Sequence, residues 1–350
     1  MKCHHPDVFC CALLNAQPMG FYAPAQIVRD ARAHGVEVRP IDVNRSRWDC
    51  ALERTDGRSL AVRLGFRMAK GLAAVDGARI ALLRGEEPFA SIEDLHRRTS
   101  VPVAALERLA DADAYGSLGL PRRDALWAIR GLTDEPLPLF AAADEREGRL
   151  RPEIDEPAVA LPAMSAGREV VEDYRAKGLS LRAHPVSFLR PALAARRIRS
   201  CRDLTLARDG RWITVAGLVL VRQKPGSAKG VMFITLEDET DVANLVIWPQ
   251  LFERERRLIL SASMIACRGR VQREGEVVHL IAHGLTDLTG ALRRVGERDE
   301  SFPLPHGRGD EAKAGGGPDA RDALGRKARE IYVPDLRLGS GIPLRTRDFR

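Results

Sequence analysis

Between Trp212 and Asp287 the sequence breaks into five strand-like runs. No other stretch limits the folds open to the chain so tightly. The runs are "WITVAGLVLVRQ", "GVMFITLED", "VANLVIWP", "SMIACRGRVQRE" and "VVHLIAHGLTDL", with a helical piece, "QLFERERRLIL", between the third and fourth. Five strands with one helix at that point is the connectivity of an OB-type barrel, a fold that binds oligonucleotides. Alternation on the second run sets Met232, Ile234 and Leu236 against Val231, Phe233 and Thr235. On the third it sets Ala243, Leu245 and Ile247 against Val242, Asn244, Val246 and Trp248. One face of each strand fills the barrel. The other can present Phe233 or Trp248 for base stacking, with Lys224, Lys229, Arg268, Arg270 and Arg273 around them. The competing reading packs Trp248 under the following helix and leaves the basic residues as a solvated rim.

Charge favours nucleic-acid contact for the barrel as a whole. The 350 residues carry a net charge of +7, and 190–286 hold 16 Lys and Arg against 10 Asp and Glu, nearly all of that excess. A basic segment of this kind suits a polyanionic partner. The acidic run "LEDETD" (Glu237, Asp238, Glu239, Asp241) sits where a hairpin turn must join the second and third strands, so a turn is expected there in place of a metal site.

Upstream, helices are expected over His5–Asn15 and Ala23–His34, the second closed by Gly35, with strands in "VEVRPIDVN" and "SLAVRLGF". From Met68 to Leu132 short helices alternate with Gly turns. In "RLGFRMAKGLAAVDGARIALLRG" a helix, a turn at Lys70-Gly71-Leu72 and a second helix would form a helix–hairpin–helix. Arg67, Lys70 and Gly71 are its candidate phosphate contacts, and Ala73 stands where such hairpins usually have a second Gly. Two further helices are expected, Arg168–Lys177 and Val186–Arg197.

The opening Cys3, His4, His5, Cys10 and Cys11 look like a zinc set, but adjacent residues on a helix point ~100° apart and do not converge on one ion. A packing role is expected for Cys10 and Cys11. Six cysteines without a C-x-x-C pair, no leader-like start and no apolar run near ~18 residues point to a reduced, cytoplasmic setting away from membranes. No P-loop, nucleophile elbow or H-E-x-x-H motif is present.

Three stretches carry a resemblance: "ALLNAQPMGFYAPAQIVRDARAHGVEVRPIDVN", "PGSAKGVMFITLEDETDVANLVIWP" and the ending "KARE-IYVPDL…RTRDFR". They resemble the C-terminal part of the bacterial error-prone DNA polymerases, C-family enzymes related to the replicative polymerase III alpha subunit. The resemblance implies an α+β, multi-domain chain. Residues 1–60 would be the end of the polymerase fingers, 61–135 a helix–hairpin–helix region on duplex DNA, and 136–164 a linker. Residues 165–205 would be a helical connector, 206–290 a five-stranded OB barrel near single-stranded template, and 291–350 a mostly disordered tail. Leu137, Leu139 and Phe140 occupy the place of the sliding-clamp-binding peptide of the replicative relatives, with Pro136 where that peptide has Gln.

The implied function is DNA-directed DNA synthesis past lesions, with DNA, the sliding clamp and other damage-response polymerase accessory proteins as partners. The palm aspartates that hold Mg²⁺ in the complete polymerase precede the matched region, so no catalytic residue or cofactor is expected here and the isolated chain is expected to be inactive. The alternatives are a stand-alone single-strand-binding or accessory protein and a tRNA-binding module.

Overall fold

The computed structural model describes residues 1–19, 22–57, 59–132 and 161–296, together with the backbone of two strands at 331–333 and 342–344. Helices α1 (Pro6–Asn15) and α2 (Pro24–Ala33) each start on a proline, whose missing amide hydrogen costs nothing in a first turn. Gly35, at φ +81, ends the second, as its position in the sequence implies. Their inward faces carry Cys10, Cys11 and Leu14, and Ile27, Val28 and Ala31. The cysteines therefore pack, and burial pushes the Cys10 thiol up to about 12.

A small sheet follows, built from β1 (Val38–Arg39), β2 (Ala51–Glu53) and β3 (Ala61–Arg63) in the order β1-β3-β2. β1 lies parallel and β2 antiparallel to the fully buried β3. β2 has no signature in the sequence, because Leu52 points to solvent. Glu53 holds it in place by ion pairs to Arg39 (2.7 Å) and Arg63 (2.9 Å). A domain boundary at 60/61 would cut this sheet and the core beneath it, which runs unbroken from Cys10 to Ile129. Residues on both sides of that position share one core, which Leu179 of the connector also joins.

The helices expected between 68 and 132 are α3 (Ala74–Arg84), α4 (Ile92–Thr99), α5 (Val103–Asp111) and α6 (Arg122–Arg130). Ser91 caps α4, its Oγ accepting from the Asp94 amide at 3.1 Å. The connector contributes α7 (Ala166–Lys177), a 3-10 turn at Pro185–Leu189, α8 (Arg190–Ala195) and α9 (Cys201–Thr205).

Strands β4 (Trp212–Gln223), β5 (Met232–Glu237), β6 (Val242–Ile247), β7 (Met264–Glu274) and β8 (Val277–Asp287) close into a barrel ordered β4-β5-β6-β8-β7. Two short helices, α10 (Pro249–Arg254) and α11 (Arg256–Ser261), fill the gap between β6 and β7 where the sequence places them. Inside are Val215, Val219, Ile234, Leu245, Ile265 and Leu280. Outside, part of β4 and β7 is covered as well: Ala216, Leu218, Met264 and Ala266 pack with Val170, Val171, Tyr174 and Leu193 of the connector. Helix α12 (Thr289–Arg293) and the turn at Arg294–Gly296 join this layer, with Val295 buried. Val295, past the position where the tail was expected to begin, is part of this core. The strands β9 (Ile331–Val333) and β10 (Ile342–Leu344) pair antiparallel with each other. Among the described residues no helix is long and apolar enough to cross a membrane.

Candidate nucleic-acid interface

The expected hairpin at 66–73 differs from the sequence reading. In place of a first helix there is a single 3-10 turn, Phe66–Met68, because Phe66 and Met68 are drawn into the core. Arg67 donates to the backbone oxygens of Asn15 (2.6 Å) and Gln17 (3.0 Å) and pairs with Asp49 at 2.8 Å. The Lys70 ammonium donates to the Tyr174 carbonyl at 3.1 Å, and burial lowers its pKa. Both cations hold the helical layer together. Gly71, at φ +82, supplies the turn, and a Cβ there would come within 3.3 Å of the Arg108 side chain. The tight helix pair of this region is α5–α6, joined through a 3-10 turn at Gly116–Leu118 and a left-handed Gly119. Tyr115 anchors it, its buried hydroxyl donating to the Leu106 carbonyl at 3.1 Å.

The acidic turn is a turn, and it also locks the barrel to the helices. Glu237 takes an ion pair from Arg29 of α2 at 2.9 Å and a hydrogen bond from His184 at 3.2 Å. Asp238, 0% exposed, accepts from the Cys201 amide (2.7 Å), Arg190 (2.8 Å) and the Thr240 amide (2.8 Å). Its oxygens are spent within the protein, and among the described residues no three His, Cys, Asp or Glu side chains converge to hold a metal ion. Burial pushes the Glu237 carboxyl up, but His184 and Arg29 draw it down further, below its ordinary 4.5. Asp238 likewise ends below 3.8, its burial outweighed by its donors. A lowered folded pKa adds stability that is complete above the unfolded value and fades as pH falls. The melting temperature is therefore expected to hold down to about pH 5 and to drop below about pH 4.5. A pH series of thermal melts checks this, and replacing Glu237 by Gln should flatten part of the fall.

Cross-strand register arranges the outward face of the barrel. Phe233 on β5 stands opposite Val246, Val246 opposite Ile281, Ile281 opposite Arg270, and Arg270 opposite Trp212. Phe233 is half-buried, while Trp248, just past the end of β6, is 54% exposed. Trp248 therefore lies at the surface, where the sequence left it between two readings. Lys229 is exposed in the β4–β5 loop at φ +48. The Lys224 ammonium sits 4.1 Å over the Phe252 ring, close to α10. Arg273 is drawn away to the carbonyls of Thr205 and Ala207, where it caps α9. Arg268 and Arg270 remain exposed on β7.

Two residues passed over in the sequence join them. Trp212, 51% exposed, sets its ring 4.6 Å from that of His283, and the Arg268 guanidinium lies 5.6 Å from the Trp212 ring. The signal was present: alternation turns Ile213 and Val215 inward, so Trp212 faces out, and Leu280 and Ala282 do the same for His283. Leu137, Leu139 and Phe140 lie outside the described residues.

Two family models match this architecture. A helix-hairpin-helix motif matches residues 35–125, and an OB-fold nucleic acid binding domain matches 213–288. Error-prone DNA polymerase 2 of Agrobacterium fabrum is 60% identical over 354 residues, taking in 100% of this chain and 32% of that protein. Over its whole length the chain is a relative of the error-prone DNA polymerases. The polymerase of the same name from Rhizobium meliloti is 59% identical, over 100% of this chain and 33% of its own. The error-prone DNA polymerase of Allorhizobium ampelinum is 62% identical over 95% of this chain and 31% of its own. The chain thus spans about a third of the length of these curated relatives. Among the described residues, the barrel surface carries exposed Arg268 and Arg270 beside Trp212, a chemistry that suits nucleic acid.

Proposed function

We propose that these residues form the DNA-holding part of an error-prone DNA-directed DNA polymerase that copies damaged template. The observation that carries this reading is the closed OB barrel with exposed Arg268, Arg270 and aromatic rings, in a chain related end to end to polymerases of that name. Cations draw the phosphates and the rings offer stacking surfaces that do not depend on sequence. A polymerase that extends past damage needs this kind of grip, since a lesion spoils base-specific contacts but leaves the backbone charge intact. The helical region contributes rigidity and, through the α5–α6 hairpin, a place for duplex. Mg²⁺ belongs to the chemistry of the complete polymerase. No step of phosphoryl transfer is assigned to this chain. Sliding-clamp docking through Leu137, Leu139 and Phe140, and contacts with other damage-response proteins, complete the proposal.

Salt tests it. If Lys224, Lys229, Arg268 and Arg270 neutralise about four phosphates, log affinity for a single strand should fall with log salt at a slope of about −3. Anisotropy of a labelled oligonucleotide across a salt series measures that slope, and a slope near zero overturns the reading. Primer-extension assays of the purified chain should show no incorporation above background.

A further inference from the structure

OB barrels commonly hold oligonucleotides over their second and third strands, here β5 and β6. In this chain the outer side of those strands is partly roofed. A cleft of about 630 Å³ separates β5 and β6 from α1 and α2, lined by Phe9, Leu13, Tyr22, Thr235 and Val242 among others. Its two cations are already spent, Lys2 on Asp30 at 2.8 Å and Arg29 on Glu237 at 2.9 Å, while Asp241 adds a further negative charge. Such a cleft gives a phosphate backbone nothing to pair with.

The other flank, β4–β7–β8, has the opposite character. Its outward residues near the start of β4 are Trp212, Arg268, Arg270 and His283, and no carboxylate among the described residues pairs with either arginine. The platform is held in advance. The loop before Trp212 is stitched to β7 by Gly210 N to Val271 O (2.9 Å) and Val271 N to Arg211 O (2.8 Å). Arg270 Nε donates to the Gly210 carbonyl at 3.2 Å, and Arg254 donates to the His283 carbonyl at 3.3 Å. These bonds fix the backbone on either side of the platform, and the Trp212 ring rests against His283 and Arg268, so little freedom is lost when a base stacks on it.

We infer that single-stranded nucleic acid crosses the β4–β7–β8 flank with a base stacked on Trp212 and phosphates on Arg268 and Arg270, and does not enter the α1–α2 cleft over β5 and β6. This inference rests on the nucleic-acid-binding reading above and specifies the path. Anisotropy with fluorescein-labelled oligothymidylate of roughly 15 nucleotides, at low salt, tests it. Trp212→Ala should weaken binding about tenfold or more, Trp212→Phe should keep most of the affinity, and Arg268→Glu should weaken it comparably. Val242→Glu, in the cleft, should bind as the wild type does. Trp212 is surface-exposed, so circular dichroism melts of its variants should match the wild type. If Trp212→Ala and Arg268→Glu both bind within about twofold of wild type, the path is wrong although binding stands. A greater loss from Val242→Glu than from Trp212→Ala moves the strand into the cleft. Failure of the wild type itself to bind overturns the broader reading and this inference together.

Discussion

Asp173→Ala is expected to destabilise the folded chain by about 3–5 kcal/mol, the cost of leaving a buried charge without its partner. Asp173 sits on α7 with its side chain 2% exposed, and it receives Arg122 from α6 at 2.5 Å and Lys177 at 2.9 Å. Ser180 completes its shell at 2.7 Å, and Arg122 also pairs with Glu169 at 2.6 Å. Burial lowers the pKa of Lys177, and the Asp173 charge restores only part of it, so the ammonium depends on that carboxylate to stay charged. Removing the carboxylate strands the buried Lys177 ammonium and leaves Arg122 with Glu169 as its remaining ion-pair partner between the hairpin helices and the connector. Urea unfolding followed by circular dichroism measures the loss. Arg182→Ala, at the half-exposed rim of the same cluster, where the guanidinium pairs with Asp113 at 2.5 Å and reaches Glu169 at 3.5 Å and Asp173 at 3.7 Å, should cost less, about 1 kcal/mol. Equal midpoints for Asp173→Ala and Arg182→Ala would remove the network from its place as the fastener between α6 and α7.

That network shows where sequence reasoning stops. The 173/177 pair lies at the i, i+4 spacing of a helix and could be noticed, but nothing local says that it is buried or that Arg122, 51 positions upstream, meets it. The barrel was legible because period-two alternation is local: each run of "GVMFITLED" or "VANLVIWP" declares which side is core. The turn at Gly71 was legible too, whereas the helix expected before it was not, since Phe66 and Met68 look helical until tertiary packing claims them. Arg67 and Lys70 looked like phosphate contacts for the same reason. Their partners, the carbonyls of Asn15, Gln17 and Tyr174, are invisible in a sequence. Trp212 and His283 meet across a register shift at Arg268/Gly269, and a bulge of that kind leaves no compositional trace except the glycine.

That glycine supports the second large effect. A glycine inside a strand usually marks a close approach by backbone. A Cβ on Gly269 would lie 2.2 Å from the Ile281 carbonyl oxygen and 2.9 Å from Leu280 Cγ. The oxygen belongs to β8, paired with β7 on this stretch, so it cannot swing aside as a side-chain tip would. Gly269→Ala should therefore force β7 and β8 apart where the barrel closes, destabilising the protein by at least about 1–3 kcal/mol, the usual range for overpacking. Because Arg268, Arg270 and His283 surround that position, oligonucleotide affinity should fall with it, even at temperatures where the chain remains folded. Gly275→Ala, in the β7–β8 turn at φ +62 with nothing within 4 Å, adds backbone strain without a collision. It should cost about 1 kcal/mol and leave binding intact. Thermal melts and oligonucleotide anisotropy on the two variants separate these outcomes. A Gly269→Ala protein that melts and binds with the wild type would mean that the bulge tolerates a side chain, and that neither barrel closure nor the Trp212 platform depends on the approach of these two strands.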